Sequence, residues 1–152
     1  MDMSGEERIA APREMVWAAL NDPEILKQCI PGCQSLDMKS PSELSATVKI
    51  RIGPVSASFA GDVLLSNINA PESYTISGEG KGGIAGFAKG GADVTLIADG
   101  SETLLRYEAK AEIGGKLAQL GSRLVDSTSK KLAQQFFADF NAAVSARATG
   151  VS

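Results

Sequence analysis

The chain has 152 residues, is 43% hydrophobic and carries 15 basic against 18 acidic side chains, for a formal charge of −3, with no histidine. That balance offers no basic footprint for nucleic acid, and without imidazole there is no Ser-His-Asp or Cys-His centre and no histidine-ligated zinc. No apolar run approaches the roughly 18 residues of a membrane span, and Met1 to Arg8 holds no hydrophobic signal region, so the expectation is one cytoplasmic globular domain over residues 1–152.

In chain order, a weak strand runs up to Ile9, and Pro12 opens a short helix with Met15, Val16, Trp17 and Leu20 as its apolar stripe. Asn21 ends that helix. Asp22 and Pro23 then cap a second one through Lys27, which Pro31 and Gly32 stop. Cys29 and Cys33 are the only thiols; their spacing misses the C-x-x-C redox pattern, and reduced, structural cysteines are expected. Strands follow at Cys33 to Lys39, Glu43 to Ile52, Val55 to Ile68, Tyr74 to Gly80, Phe87 to Ala98 and Thr103 to Ile113. Their short connections imply an antiparallel meander.

Period-two alternation assigns the buried face. Its members are Leu44, Ala46, Val48, Ile50 and Ile52; Val55, Ala57, Phe59, Gly61 and Val63; Tyr74, Ile76, Gly78 and Gly80; Ala92, Val94 and Leu96; and Leu105, Tyr107, Ala109, Ala111 and Ile113. Many of these are alanine or glycine where a solid sheet would place valine or leucine. A ligand-sized void of roughly 300 Å³ would cost about 7 kcal/mol if empty, comparable to the stability of a whole domain. Either a helix sinks onto the small residues or an apolar guest fills the space. Because the small positions recur on every long strand, the guest is favoured.

After Gly114 and Gly115, Leu117, Leu120, Leu124, Thr128, Leu132, Phe136, Phe140 and Val144 repeat every three or four residues from Lys116 onward, predicting one long amphipathic helix of about eight turns and about 45 Å. Gly121 and Ser122 predict a bend or a wider gap near its start, and a frayed tail is expected after Arg147. Short helices after the first strand, a meander and a closing helix define an α+β helix-grip fold of the Bet v 1/START-like kind. It comprises a curved antiparallel sheet of about seven strands around the long C-terminal helix.

Several segments resemble one family within that class, the CoxG family of carbon monoxide dehydrogenase subunits. They are Ala11-Pro12-Arg13-Glu14-Met15-Val16-Trp17, Leu20-Asn21-Asp22-Pro23-Glu24, Cys29-Ile30-Pro31-Gly32-Cys33, Gly80-Lys81-Gly82-Gly83, Gly86-Phe87-Ala88-Lys89-Gly90 and Gly114-Gly115-Lys116-Leu117-Ala118-Gln119-Leu120-Gly121-Ser122-Arg123-Leu124. The resemblance covers nearly the whole chain. It implies an accessory protein of a molybdenum hydroxylase that binds a hydrophobic molecule, a quinone or lipid, and links the enzyme to the membrane. Many members continue into an apolar or amphipathic tail, whereas this chain ends at Ser152, so no such tail is expected to carry membrane contact.

Other motifs weigh against catalysis. Gly78-Glu79-Gly80-Lys81-Gly82-Gly83 spells G-x-G-x-x-G, but strand-like alternation resumes at Ile84 where a dinucleotide fingerprint needs a helix. In Gly115-Lys116-Leu117, Leu117 stands where a phosphate loop has a hydroxyl. Asp62, Glu79, Asp93 and Glu108 point outward by parity, so no inward carboxylate pair is expected. Tyr74 and Tyr107 are the inward hydroxyls with acid chemistry, either donating to a ligand carbonyl or satisfied by backbone in the core.

The candidate ligand-binding residues are Leu26, Ile30, Phe59, Tyr74, Ile76, Gly78, Phe87, Tyr107, Ala109, Leu117, Leu120 and Leu124. Leu26, Ile30, Phe87, Leu117, Leu120 and Leu124 are expected at the open end, with Phe136 and Phe140 sealing the narrow one. No catalytic residue, metal or cofactor is expected. Three readings stay open: a carrier of an apolar molecule serving a redox enzyme, a docking or assembly module for the dehydrogenase, and a helix-grip aromatase or hydrolase.

Overall fold

The structure is a computed structural model describing residues 1–150. Seven strands form one antiparallel sheet: β1 (Asp2–Ile9), β2 (Cys33–Ser40), β3 (Glu43–Ile52), β4 (Val55–Asn69), β5 (Ser73–Lys81), β6 (Phe87–Asp99) and β7 (Glu102–Gly114). Their spatial order is β1-β7-β6-β5-β4-β3-β2, so β2 to β7 are a meander and β1 adds beside its last strand. A 3₁₀ turn at Gly83–Ala85 joins β5 to β6, so the strand-like alternation expected from Ile84 resumes only at Phe87.

Between β1 and β2 lie α1 (Arg13–Leu20) and α2 (Pro23–Cys29). Pro12 is the N-cap of α1, one position earlier than the first helical residue expected of it. Asp22 caps α2 as its spacing predicts: its carboxylate accepts from the Glu24 amide at 3.0 Å while Pro23 fills the first helical position. The helix continues two residues past the expected Lys27, to Cys29.

The C-terminal helix is interrupted. A single turn, α3 (Lys116–Gln119), is separated by Leu120 and Gly121 from α4 (Ser122–Ala148), whose 27 residues span about 40 Å. Gly121 has φ +90°, which a helix does not accommodate and glycine adopts without steric cost; α4 starts afresh from its carbonyl, which accepts from Val125 N at 3.2 Å. The expected bend is therefore a break. The expected tail after Arg147 begins with the last helical residue, Ala148, and its final two positions, 151 and 152, lie outside the described residues.

Two apolar clusters fill the space between sheet and helices. The larger gathers Ile9, Val16, Leu20, Ile25, Leu96, Leu105, Phe140 and Val144 beneath α1 and α2. The smaller joins Ile52, Phe59, Ala85 and Leu117 at the opposite end, with Leu120 and Leu124 packed against it. The larger end is also clamped by polar contacts: buried Thr103 donates to Ala11 O at 2.8 Å, Ala10 N donates to Asn141 Oδ1 at 3.1 Å, and Arg147 pairs with Asp22 at 3.2 Å.

Candidate binding cavity

Strand register decides where the small side chains meet. Pairing sets Ala46 beside Gly61, Gly61 beside Gly80, Gly80 beside Ala88 and Ala88 beside Ile113. This is a transverse row of almost bare backbone across the inner face. The neighbouring row runs Leu44, Val63, Gly78, Gly90 and Ala111. Toward the α1 end the rows thicken through Leu65, Ile76, Ala92 and Ala109 to Tyr74, Val94 and Tyr107. Side chains that all face one way and are missing from adjacent strands leave a hollow rather than scattered gaps.

That hollow is a cavity of about 380 Å³. The row of alanines and glycines roofs it, Val48, Ile50, Ile52, Phe59 and Leu117 close one end, and Val125, Ser129 and Leu132 form the helical wall. Val63 and Ile113 add to the lining, Asp62 and Glu79 border it with their carboxylates turned outward, and Met1, 37% exposed, marks a point where the cavity reaches solvent. A furrow of about 510 Å³ on the outer face, over Gly90 and Gly91, is larger, but Asp2, Asp93, Glu108 and Lys110 rim it. Volume does not separate the two. Lining does, and only the inner one is apolar.

Two glycines of the roof differ in what they tolerate. A Cβ at Gly61 would collide with the Glu79 carbonyl oxygen, so close strand approach demands glycine there. At Gly80 a Cβ would meet only Phe59 Cβ, at 3.6 Å, and would point into open space.

Of the residues expected to bind ligand, Phe59, Gly78 and Leu117 line the cavity. The others do not. Leu120 and Leu124 pack against the small cluster that closes one end and do not reach the lumen. Leu26 packs against the large cluster and Ile30 is the C-cap of α2, both at the filled end. Phe87, expected at the mouth, lies on the outer face: Ala88 takes the inward position, and the Phe87 ring, 39% exposed, rests on Gly114. Ala109 sits one row too far toward the filled end.

Tyr74, Ile76 and Tyr107 also belong to that end. Tyr74 is 4% exposed with its ring edge-on to Trp17, centroids 5.1 Å apart, and burial pushes its phenol well above the ordinary range. Tyr107 stacks on Phe137 at 5.3 Å, and burial, with Glu7 adding, raises its phenol too. Neither hydroxyl lines the cavity, so a tyrosine donor to a bound carbonyl is not available there. Phe136 and Phe140 stack at 5.6 Å and close the filled end, as their place in the stripe predicts.

The outward carboxylates follow parity. Ser45 Oγ donates to Asp62 at 2.7 Å and Lys39 lies 3.4 Å away, which together hold that carboxyl below its usual range; Asp93 accepts from Thr75 at 2.8 Å. Cys29 and Cys33 are free thiols, both raised chiefly by burial. Among the described residues no group of three or more His, Cys, Asp or Glu side chains is arranged to hold a metal, and no helix is long and apolar enough to cross a membrane.

A curved sheet gripping a long C-terminal helix around an apolar hollow defines a START/Bet v 1-like helix-grip protein, and solved structures agree. The chain is similar to a conserved protein from Geobacillus kaustophilus, at 30% identity over 95% of each chain with a TM-score of 0.89. A START superfamily protein from Mycobacterium smegmatis matches at 20% identity, over 99% of each chain, with a TM-score of 0.66. The Zhui aromatase/cyclase from Streptomyces sp. R1128 shares the fold at 11% identity, covering 100% of this chain and 99% of that one, with a TM-score of 0.70. The chain matches no curated protein. Residues 5–145 match the model of the carbon monoxide dehydrogenase subunit CoxG, and the chain belongs to that family. Family and fold together support an accessory, ligand-binding role.

Proposed function

We propose that this protein is a non-catalytic carrier that holds a hydrophobic small molecule, a quinone or lipid, between the β3–β7 face and α4, as an accessory of a carbon monoxide dehydrogenase-type molybdenum hydroxylase. One observation carries the reading: an apolar cavity of about 380 Å³ whose roof is a cross-strand row of glycine and alanine. Phe59, Gly78 and Leu117, with Ala46, Gly80, Ala111, Ile113 and Leu132, form the contact surface. At about 25 cal/mol per Å², an isoprenoid or acyl chain that loses roughly 300 Å² to this surface gains about 7 kcal/mol before the costs of association. Few directional contacts are then needed.

Membership of the CoxG family supports the link to the dehydrogenase. Catalysis has less support: the Zhui likeness extends to fold, and the cavity lining brings no acid–base pair together. Native mass spectrometry of gently purified protein is expected to show lipid-like added mass, and stripped protein to take up a quinone analogue. Protein that is empty as purified and refuses both the analogue and an apolar fluorophore overturns the proposal. Association with the dehydrogenase that survives filling of the cavity would instead assign the role to docking.

A further inference from the structure

An apolar cavity selects by volume, and chemical selectivity must come from whatever polar atoms it presents. Asp62 and Glu79 border this cavity, but their carboxylates face outward, toward Lys39 and Ser45 and toward Lys81. The backbone of β4 and β5 there is paired on both sides, so its amides and carbonyls are committed to the sheet. Among the described residues, the one hydroxyl side chain in the lining is Ser129.

Ser129 is poorly partnered. Its neighbour on α4, Ser127, donates back to Leu124 O at 3.1 Å, the usual local arrangement for a helical serine. Ser129 Oγ instead donates to Met1 Sδ at 3.4 Å, at the exposed edge of the cavity, and a thioether is a weak acceptor. The Met1 backbone is anchored, since its terminal ammonium donates to Ala111 O at 2.9 Å and its carbonyl accepts from Ala111 N at 2.8 Å. Its side chain, an unbranched thioether with three rotatable bonds, is 37% exposed. A weak contact from a cavity hydroxyl to a movable side chain at the point of solvent access is easily exchanged for a better one.

We propose that Ser129 sets the specificity of the cavity: as Met1 swings aside, its hydroxyl transfers from the thioether to a single carbonyl-type oxygen on an otherwise hydrocarbon or aromatic ligand. This rests on the carrier reading above. The same lining disfavours a charged head, because its two carboxylates face outward and the Met1 ammonium is committed to Ala111 O.

The test compares two fluorophores of similar apolar character on the full chain: prodan, a naphthyl ketone, and diphenylhexatriene, a hydrocarbon. Wild type is expected to bind both, with prodan emission shifted to the red by a hydrogen bond to its carbonyl. Ser129→Ala is expected to weaken prodan about fivefold and abolish the shift, leave diphenylhexatriene within about twofold, and Ser129→Thr to keep both properties. Equal losses for the two probes, or an unchanged prodan affinity and spectrum, overturn the assignment to Ser129 while the carrier reading stands. If neither probe enters wild-type protein, both readings fall together. Should Ser129→Ala unfold, Ser129→Cys supplies the same comparison with a weak donor.

Discussion

The two ends of the same sheet are built from the same alternating pattern and do opposite things. Beneath α1 and α2, inward positions are Tyr74, Val94, Leu96, Leu105 and Tyr107, and Phe136, Phe137 and Phe140 from α4 interlock with them. Beneath the first turns of α4, inward positions are Ala46, Gly61, Gly78, Gly80 and Ala111, and the helix offers Val125, Ser129 and Leu132 across open space. Stability is concentrated at the first end, which leaves the second free to stay hollow. A chain small at every inward position could not bear the cost of a cavity, and one large at every position would have nowhere for a guest.

The largest expected difference is in stability. Phe140→Ala, at a side chain with no exposure, should lower the unfolding free energy by about 3–5 kcal/mol, whereas Leu132→Ala, half-buried beside the cavity, should cost about 1 kcal/mol or less. Urea titrations of the two variants check this, and equal losses would abolish the distinction between a solid end and a hollow one. Next in size is Ala46→Leu, which places three further carbons in the cavity. It should weaken uptake of an apolar fluorophore about tenfold or more and raise the urea midpoint of the unliganded protein.

Tyr74 sharpens the comparison through pH. Because burial favours its neutral phenol, its contribution is complete below the unfolded-state value of about 10 and erodes as pH rises beyond it, when only the unfolded chain ionises readily. Unfolding midpoints compared between pH 8 and pH 11 should fall more in wild type than in Tyr74→Phe. The smallest effect is expected at Ile84, 84% exposed on the 3₁₀ turn at the hollow end. Ile84→Ser should shift stability by no more than about 0.5 kcal/mol and leave fluorophore uptake unchanged.

Most of the architecture is legible in the sequence. Alternation from Leu44 to Ile113 locates the strands and their inward faces, and the stripe from Leu124 to Val144 locates α4, since both periodicities are properties of neighbouring residues. The site is less legible. Glycine-rich surroundings suggest a mouth at Phe87, although strict parity from Ala92 back through Ala88 already turns that ring outward. Ala109 and Ala111 alternate equally well, yet only Ala111 reaches the cavity, because position along a strand cannot be ranked without knowing what lies beside it.

From its own residues the chain determined which side chains face inward, that many of them are too small to fill a core, and that a long helix closes the sheet. Tertiary structure alone decided that Ala46, Gly61, Gly80 and Ala88 fall side by side, that Leu120 and Leu124 pack outside the lumen, and that Met1 meets Ser129 across 128 residues of chain. The reason is range: side-chain direction follows from backbone geometry within a few residues, whereas a cavity exists only where register aligns absences on strands far apart in sequence.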